Sequence, residues 1–263
     1  TIPMINFFRK IRQNLLTEHK TGKYMKYAIG EIVLVVIGIL IALSINNWNE
    51  VRKERQSEIK YYTNLKLDIE TDLVNLDTII KQRRNIAESA IKLLGLNPPE
   101  TLIQLKAFDS LKGRVFGWRS YSPRTNTLDE LISSGGLNKI KNDSIKLYLL
   151  RIKEKNGLVV TYREHMRHEY DNYLYDRSAQ IFNSSRFVNY EQSIAQRKLI
   201  FNTLSDKELQ TLATQASVFL KDITIQNGLS LAIRNNLGFV GSYEAIKDDI
   251  VKLIKFIKED SSE

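Results

Sequence analysis

In a chain of 263 residues with three histidines and no cysteine, side chains able to do chemistry are few, and the densest group is His165-Met166-Arg167-His168-Glu169. Histidine and carboxylate three or four residues apart share one helix face, and such sets bind zinc or iron when other helices complete the ligand shell. No Glu-x-x-His from another helix is present, and Arg167 would repel a cation. These residues therefore read as a solvated or interfacial helix face, and neither a metal nor a cofactor is expected. The missing cysteine removes thiolate metal sites, disulfides and lipoprotein attachment. No Gly-x-Ser-x-Gly, phosphate loop or dinucleotide fingerprint occurs. Acid–base catalysis would have to rest on carboxylates, tyrosines or lysines, and the expectation is a protein that is not an enzyme.

Two other groups suit association. Phe116, Trp118, Arg119, Tyr121 and Arg124 crowd the segment GRVFGWRSYSPR, Gly113 to Arg124, the longest stretch without helical pattern. Aromatic and arginine side chains dominate interface hot spots, and loops on rigid scaffolds carry binding. Trp118, Arg119, Tyr121 and Arg124 form the candidate partner-binding loop; the alternative is that Phe116 and Trp118 plug a bundle while the arginines cap helix ends. The second group is Glu31, Gly38 and Ala42, which lie in an apolar run. Gly38 and Ala42 make a small-xxx-small pair, with Gly30 two turns below, a stripe that permits close helix packing. Glu31 reads as a carboxylate near headgroup depth, paired with Lys23, Lys26 or Tyr27, or as a contact in helix assembly; an ion or proton path is the weakest reading, since a lone carboxylate on one helix builds no relay.

That apolar run, Ala28 to Ile45, holds Glu31 as its single charge. As a helix rising ~1.5 Å per residue it covers roughly 27 Å, close to the ~30 Å hydrocarbon core of a bilayer. It exceeds the ~7–15 apolar residues of a cleaved signal peptide, although Ala42-Leu43-Ser44 offers a small-x-small site, so an uncleaved anchor is expected. Of the net charge of +9, much lies in the first 27 residues, which hold six Lys/Arg against one Glu. This bias places the N-terminus in the cytoplasm and the residues after the span on the far side, in the periplasm of a Gram-negative cell or outside the cell otherwise, with Tyr24, Tyr27 and Trp48 at the interfaces. Ile5, Phe7, Phe8, Ile11 and Leu15 recur at helical spacing among basic residues, as in an amphipathic helix on anionic lipid. The rest of the excess is interleaved with acids, so no nucleic-acid partner is expected.

Beyond the span the pattern is helical almost throughout. Ile59, Tyr62, Leu65, Ile69, Leu73, Leu76 and Ile80 advance by three or four residues at each step, which marks an amphipathic helix. It is expected to run from Asn46 to about Leu94, as a rigid stalk ending at Gly95 and Asn97-Pro98-Pro99. Thr101 to Leu111 gives a short helix. Thr127 to Glu130 reads as a capping box whose helix Gly135-Gly136 ends. Asn142 or Asp143 caps a helix to about Asn183, with Leu147, Leu150, Ile152, Val159, Tyr162, Met166, Tyr170 and Tyr173 as inward positions. Ser205 to Glu208 is a second capping box, Gly238 a stop, and Ser242 the start of a last helix facing inward through Ile246, Ile250, Leu253, Ile254 and Ile257. The fold class is all-α: a single transmembrane helix continuing into a long stalk helix and an exported antiparallel helical bundle. The divisions are a cytoplasmic basic segment (1–27), transmembrane helix (28–47), stalk helix (48–94) and periplasmic bundle (95–263).

The run FFRKIRQNLL…KYMKYAIGEIVLVVIGILIALSINNWNE resembles the opening of a family of Bacteroidota membrane proteins known only as a domain of unknown function, the 6090 family. The strong similarity covers about Phe7 to Glu50, with a looser echo at TNTLDELISSGGLNKIKNDSIK, Thr125 to Lys146. The resemblance implies a Bacteroidota inner-membrane origin and a helical periplasmic domain, and no activity. The expected function is a non-enzymatic, inner-membrane-anchored structural or accessory subunit. Its partners would be the lipid bilayer and either itself, as a homo-oligomer, or another inner-membrane protein complex. A periplasmic ligand-sensing module signalling through a separate partner is the first alternative, and an uncharacterised enzyme the second.

Overall fold

The computed structural model describes residues 21–183 and 205–262, and every regular element among them is helical. The chain divides into two compact units, residues 1–60 and 61–263. The amphipathic segment expected around Ile5 to Leu15 lies outside the described residues.

Helix α1, Thr21–Leu94, contains the apolar run and continues through the stalk pattern without a break. In the first unit the apolar side chains from Ile29 to Ile45 are 45–63% exposed on every side. By length and composition this is the one helix among the described residues able to cross a membrane. In the second unit the expected inward series Tyr62, Leu65, Ile69, Leu76 and Ile80 is buried, and Leu73 is half-buried. Ile59, just before it, is exposed. The helix ends where Gly95 and Leu96 donate back to the carbonyls of Ile91 and Leu93, ahead of two prolines that cannot continue it.

Helix α2, Leu102–Phe116, opens on a reciprocal capping box between Thr101 and Gln104. It outruns the expected end at Leu111, so GRVF is helix and not loop. Val115 is fully buried and Phe116 packs edge-to-face on Tyr175 at 5.5 Å, which offsets the poor helix propensity of Gly113. Helix α3, Asn126–Ser133, corrects the capping box read at Thr127 to Glu130: its N-cap is Thr125, and Thr127 lies inside the helix. The Thr127 hydroxyl donates instead to Asp68 of α1 at 2.6 Å, a tertiary acceptor that local pattern does not reveal. A left-handed Gly135 (φ 69°) then leads into a 3₁₀ turn, Gly136–Lys139.

Helix α4, Asp143–Tyr170, is capped by the Asn142 side chain, which accepts from the N–H groups of Ser144 and Ile145. A π turn, Asp171–Tyr175, carries it into α5, Asp176–Ile181. Its buried stripe is Ile145, Leu149, Ile152, Val159, Met166, Tyr170 and Leu174. Leu147, Leu150, Tyr162 and Tyr173, expected inward, are exposed. The apolar residues of α4 occupy two faces, and hydrophobicity alone does not say which one meets the bundle.

Helix α6, Asp206–Lys221, opens on the expected Ser205/Glu208 capping box. Helix α7, Ile223–Ser261, corrects the reading around Gly238 and Ser242, since it passes through both. The Ser242 hydroxyl donates to the Gly238 carbonyl within the helix at 3.1 Å. The break falls at Asp222, whose carboxylate caps α7 at the N–H groups of Thr224 and Ile225 and pairs with Arg177. Ala232, Phe239, Val240, Tyr243 and Ile246 bury continuously across Gly238, worth more than the ~1 kcal/mol a helical glycine costs.

Helices α4 and α7 pack along each other antiparallel, tied by Asn142–Asp260, Lys155–Asp249 (2.6 Å) and Glu169–Asn235. At Gly228, α7 presses against the π turn: a Cβ there would lie 2.7 Å from Leu174 Cδ2, so only glycine fits without movement.

Candidate functional site

The first candidate group lies on the exposed part of α1. Gly38 and Ala42 are exposed one turn apart, Glu31 is half-exposed, and a Cβ built on Gly30 or Gly38 would meet nothing within 4 Å. The face is thus open to a second helix. Near the end of the apolar run the Arg52 guanidinium stands 5.7 Å from the centre of the Trp48 ring.

The second group is the segment 117–125 between α2 and α3. Its conformation is imposed by charged groups of α1 that hold its backbone. The Arg124 N–H donates to both Asp72 carboxylate oxygens, at 3.2 and 3.0 Å. One turn earlier, Asp68 accepts the Thr127 hydroxyl at the start of α3, a placement that also suits the positive end of that helix. Three turns after Asp72, Arg83 donates to the Arg119 carbonyl, to Asn236 Oδ1 at 3.0 Å and towards the Met166 sulfur at 3.7 Å. Its guanidinium also lies 4.8 Å from the centre of the Phe239 ring. Arg83 is only 2% exposed, and it forms no ion pair among the described residues.

The four loop residues separate accordingly. Tyr121 is buried, edge-to-face with Tyr243 at 5.5 Å and beside Asp72. Trp118 covers Tyr170 edge-to-face at 6.1 Å but stays 40% exposed. Arg119 and Arg124 use their main chains for attachment and leave their side chains exposed. Tyr121 and, in part, Trp118 therefore belong to packing, and the two arginines remain available for recognition.

Burial shapes the titration of this region. Asp72 is raised above the usual carboxylate range by desolvation, against the Arg124 N–H and Tyr121, which favour its charge. Tyr121 is pushed well above the ordinary phenol value by burial and by the Asp72 charge. Tyr170 is pushed up to about 12 by burial, while its Asn236 hydrogen bond and the Arg83 charge pull the other way.

His165 and His168 do not converge with other ligands. His165 Nε2 stands 3.3 Å from Glu169, and His168 pairs with Asn172 at 3.0 Å. Glu169 also accepts from Asn235 and lies 3.7 Å from Arg234, so it ties α4 to α7. Among the described residues no three His, Asp or Glu side chains gather as a metal ion would require.

Lys112 has no counterpart in the sequence reading. Its ammonium lies 3.7 Å from the centre of the Phe182 ring, with Phe116 and Phe219 at 5.4 and 5.8 Å. Burial lowers its pKa to about 8, with the Asp109 charge opposing. Phe116 is its i+4 neighbour on α2, whereas Phe182 and Phe219 come from distant parts of the chain, so the local pattern announces one wall of the pocket and not the other two.

Compared with known proteins, the chain matches the model of a family described as "Family of unknown function (DUF6090)" over residues 31–227. No curated protein and no solved structure matches it.

Proposed function

The chain belongs to the DUF6090 family of unknown function, and from that premise we propose that it is a single-pass membrane protein acting by association rather than catalysis. In this reading the N-terminus is cytoplasmic, the apolar part of α1 crosses the inner membrane, and the helical domain lies in the periplasm. The domain serves as a structural or accessory subunit of a homo-oligomer or of a larger membrane complex. One observation carries the proposal: from Ile29 to Ile45 the helix exposes apolar side chains on every side, and none of that stretch is buried within the protein. A soluble helix hides at least one such face in its own core. An open strip at Gly30, Gly38 and Ala42 within this stretch suits helix association in lipid.

Alkaline carbonate extraction, a periplasm-active reporter fused after Glu263, and native mass measurement in mild detergent test the parts in turn. Retention in the membrane pellet, an active reporter, and a stoichiometric complex of several copies or with another chain are expected. Release by carbonate would overturn the anchor. An inactive reporter in a folded fusion would overturn the orientation, and a lone monomer the subunit role. A ligand-sensing module is the second reading, favoured by the polar cleft described next.

A further inference from the structure

Between α1 and α2, bounded by the 117–125 loop, lies a cleft of about 360 Å³. Its polar lining is Gln82 and Asn85 from α1, Ser110 and Arg114 from α2, and Arg119 from the loop; no carboxylate lines it. Among the described residues none of these five side chains has a hydrogen-bond or ion-pair partner. Asp109, the nearest acid in sequence, faces the Lys112 charge. The Arg119 peptide is held by Arg83, a third guanidinium without an ion pair among the described residues, so the loop arginine is presented from a fixed main chain. Gly113 opens the middle of the cleft. Its φ is not left-handed, and a Cβ there would meet nothing within 4 Å, so neither backbone nor packing demands glycine in this helix. What a larger residue would remove is the space in the cleft.

We propose that this cleft binds a small soluble oxyanion, a carboxylate- or phosphate-bearing metabolite with additional hydroxyl or carbonyl groups. Guanidinium forks match carboxylate and phosphate geometry, and paired charge-assisted bonds form there without competition from a protein acid. The amides of Gln82 and Asn85 and the hydroxyl of Ser110 suit the neutral part of such a molecule. The volume of about 360 Å³ lies at the low end of the ~300–1,000 Å³ typical of ligand sites, which fits a small metabolite. The site lies wholly within residues 61–263, so its failure would leave the anchoring proposal untouched.

The test titrates the full chain in a non-ionic detergent with inorganic phosphate, glucose 6-phosphate and succinate, with glucose as the uncharged control and dihexanoyl phosphatidic acid as the lipid control. Calorimetry and the shift in melting temperature are the readouts. Saturable binding of one soluble anion per chain is expected, with no response to glucose. Arg114→Gln and Arg119→Gln should each weaken it about tenfold or more, as loss of a charge-assisted pair does. Gly113→Leu should abolish binding while melting at or above the wild-type temperature, which separates occlusion from unfolding. Arg84→Gln, whose side chain pairs with Glu244 instead, should bind as wild type. The proposal is overturned if no soluble anion binds, if only the lipid binds, or if binding survives both cleft-arginine changes.

Discussion

Replacing Lys112 with Met removes a charge from an aromatic pocket while keeping an unbranched side chain of similar reach. The ammonium sits among Phe116, Phe182 and Phe219, and burial holds its pKa at about 8 against an ordinary 10.5. In the unfolded chain the amine keeps its ordinary value. Between these two limits the unfolded state therefore binds a proton that the folded state has lost, and stability rises with pH. The contribution is fully present above the ordinary lysine value and is lost as pH falls through about 8. At ~1.4 kcal/mol per pKa unit the difference amounts to about 3 kcal/mol. The rings favour the charged form by about 0.5–2 kcal/mol, which leaves a net span of about 1–3 kcal/mol. Lys112→Met should thus be the more stable protein at pH 7 by about 1–3 kcal/mol, since an apolar side chain replaces a buried cation. The gap should close towards pH 10.5. Tyr121, Tyr170, Tyr175 and Tyr243 all have raised values, so both proteins should lose stability as pH climbs past the ordinary phenol range, and the difference isolates the lysine. Urea unfolding of the full chain in detergent, followed by tryptophan fluorescence from pH 7 to 10.5, reads both curves. A gap that does not change with pH would refute the reasoning, because the ammonium would then be hydrated in the fold. A gap of opposite sign would mean that the rings outweigh the burial.

Three further sets of substitutions probe separate parts of the molecule. Gly228→Ala should destabilise by about 1–3 kcal/mol in the same urea assay, because the new methyl meets Leu174 across a tight helix contact; an unchanged midpoint would show that the π turn yields freely. Tyr121→Ala should cost about 3–5 kcal/mol as a buried aromatic, and Trp118→Ala clearly less because its ring is partly exposed; equal losses would contradict the division of the loop into packing and surface residues. Gly38→Leu, alone or with Ala42→Leu, should reduce the native mass or partner recovery without moving the urea midpoint, and unchanged association would leave the span an anchor only.

The elements most legible in the sequence were those whose signals are local and concordant. The apolar run of α1 carries one charge, and the buried stripe from Tyr62 to Ile80 keeps one helical period. The Ser205/Glu208 box and the Asn142 cap satisfy helix N–H groups with residues already adjacent in the chain. The misread boundaries share a different cause. Gly238 looks like a stop only if its neighbours are ignored, whereas burial of Phe239, Val240 and Tyr243 carries the helix across it. Thr127 fits a capping box by spacing, yet its hydroxyl is taken by an aspartate 59 residues earlier in the chain. The two apolar faces of α4 were indistinguishable until α7 covered one of them.

The loop shows why candidate sites are harder to read than elements. Aromatic and arginine content drew attention to residues 118–124, and composition does not separate a side chain that is displayed from one that is spent on packing. That separation comes from α1, where Asp68, Asp72 and Arg83 look from sequence like ordinary members of a charged helix. Asp72 and Arg83 are almost wholly buried, and their cost is offset by loop N–H and carbonyl groups that would otherwise lack partners. The polar pins that order the loop act on its main chain and leave the Arg119 and Arg124 side chains exposed, although the Arg124 charge still favours the Asp72 carboxylate. Arg119 is turned into a cleft beside Arg114 and a glycine that packing does not require. Two arginines in a concave, acid-free lining leave their charge-assisted donors to solvent, where an incoming anion could take them up. On this argument the binding signal lies in the charges the fold could have paired and did not.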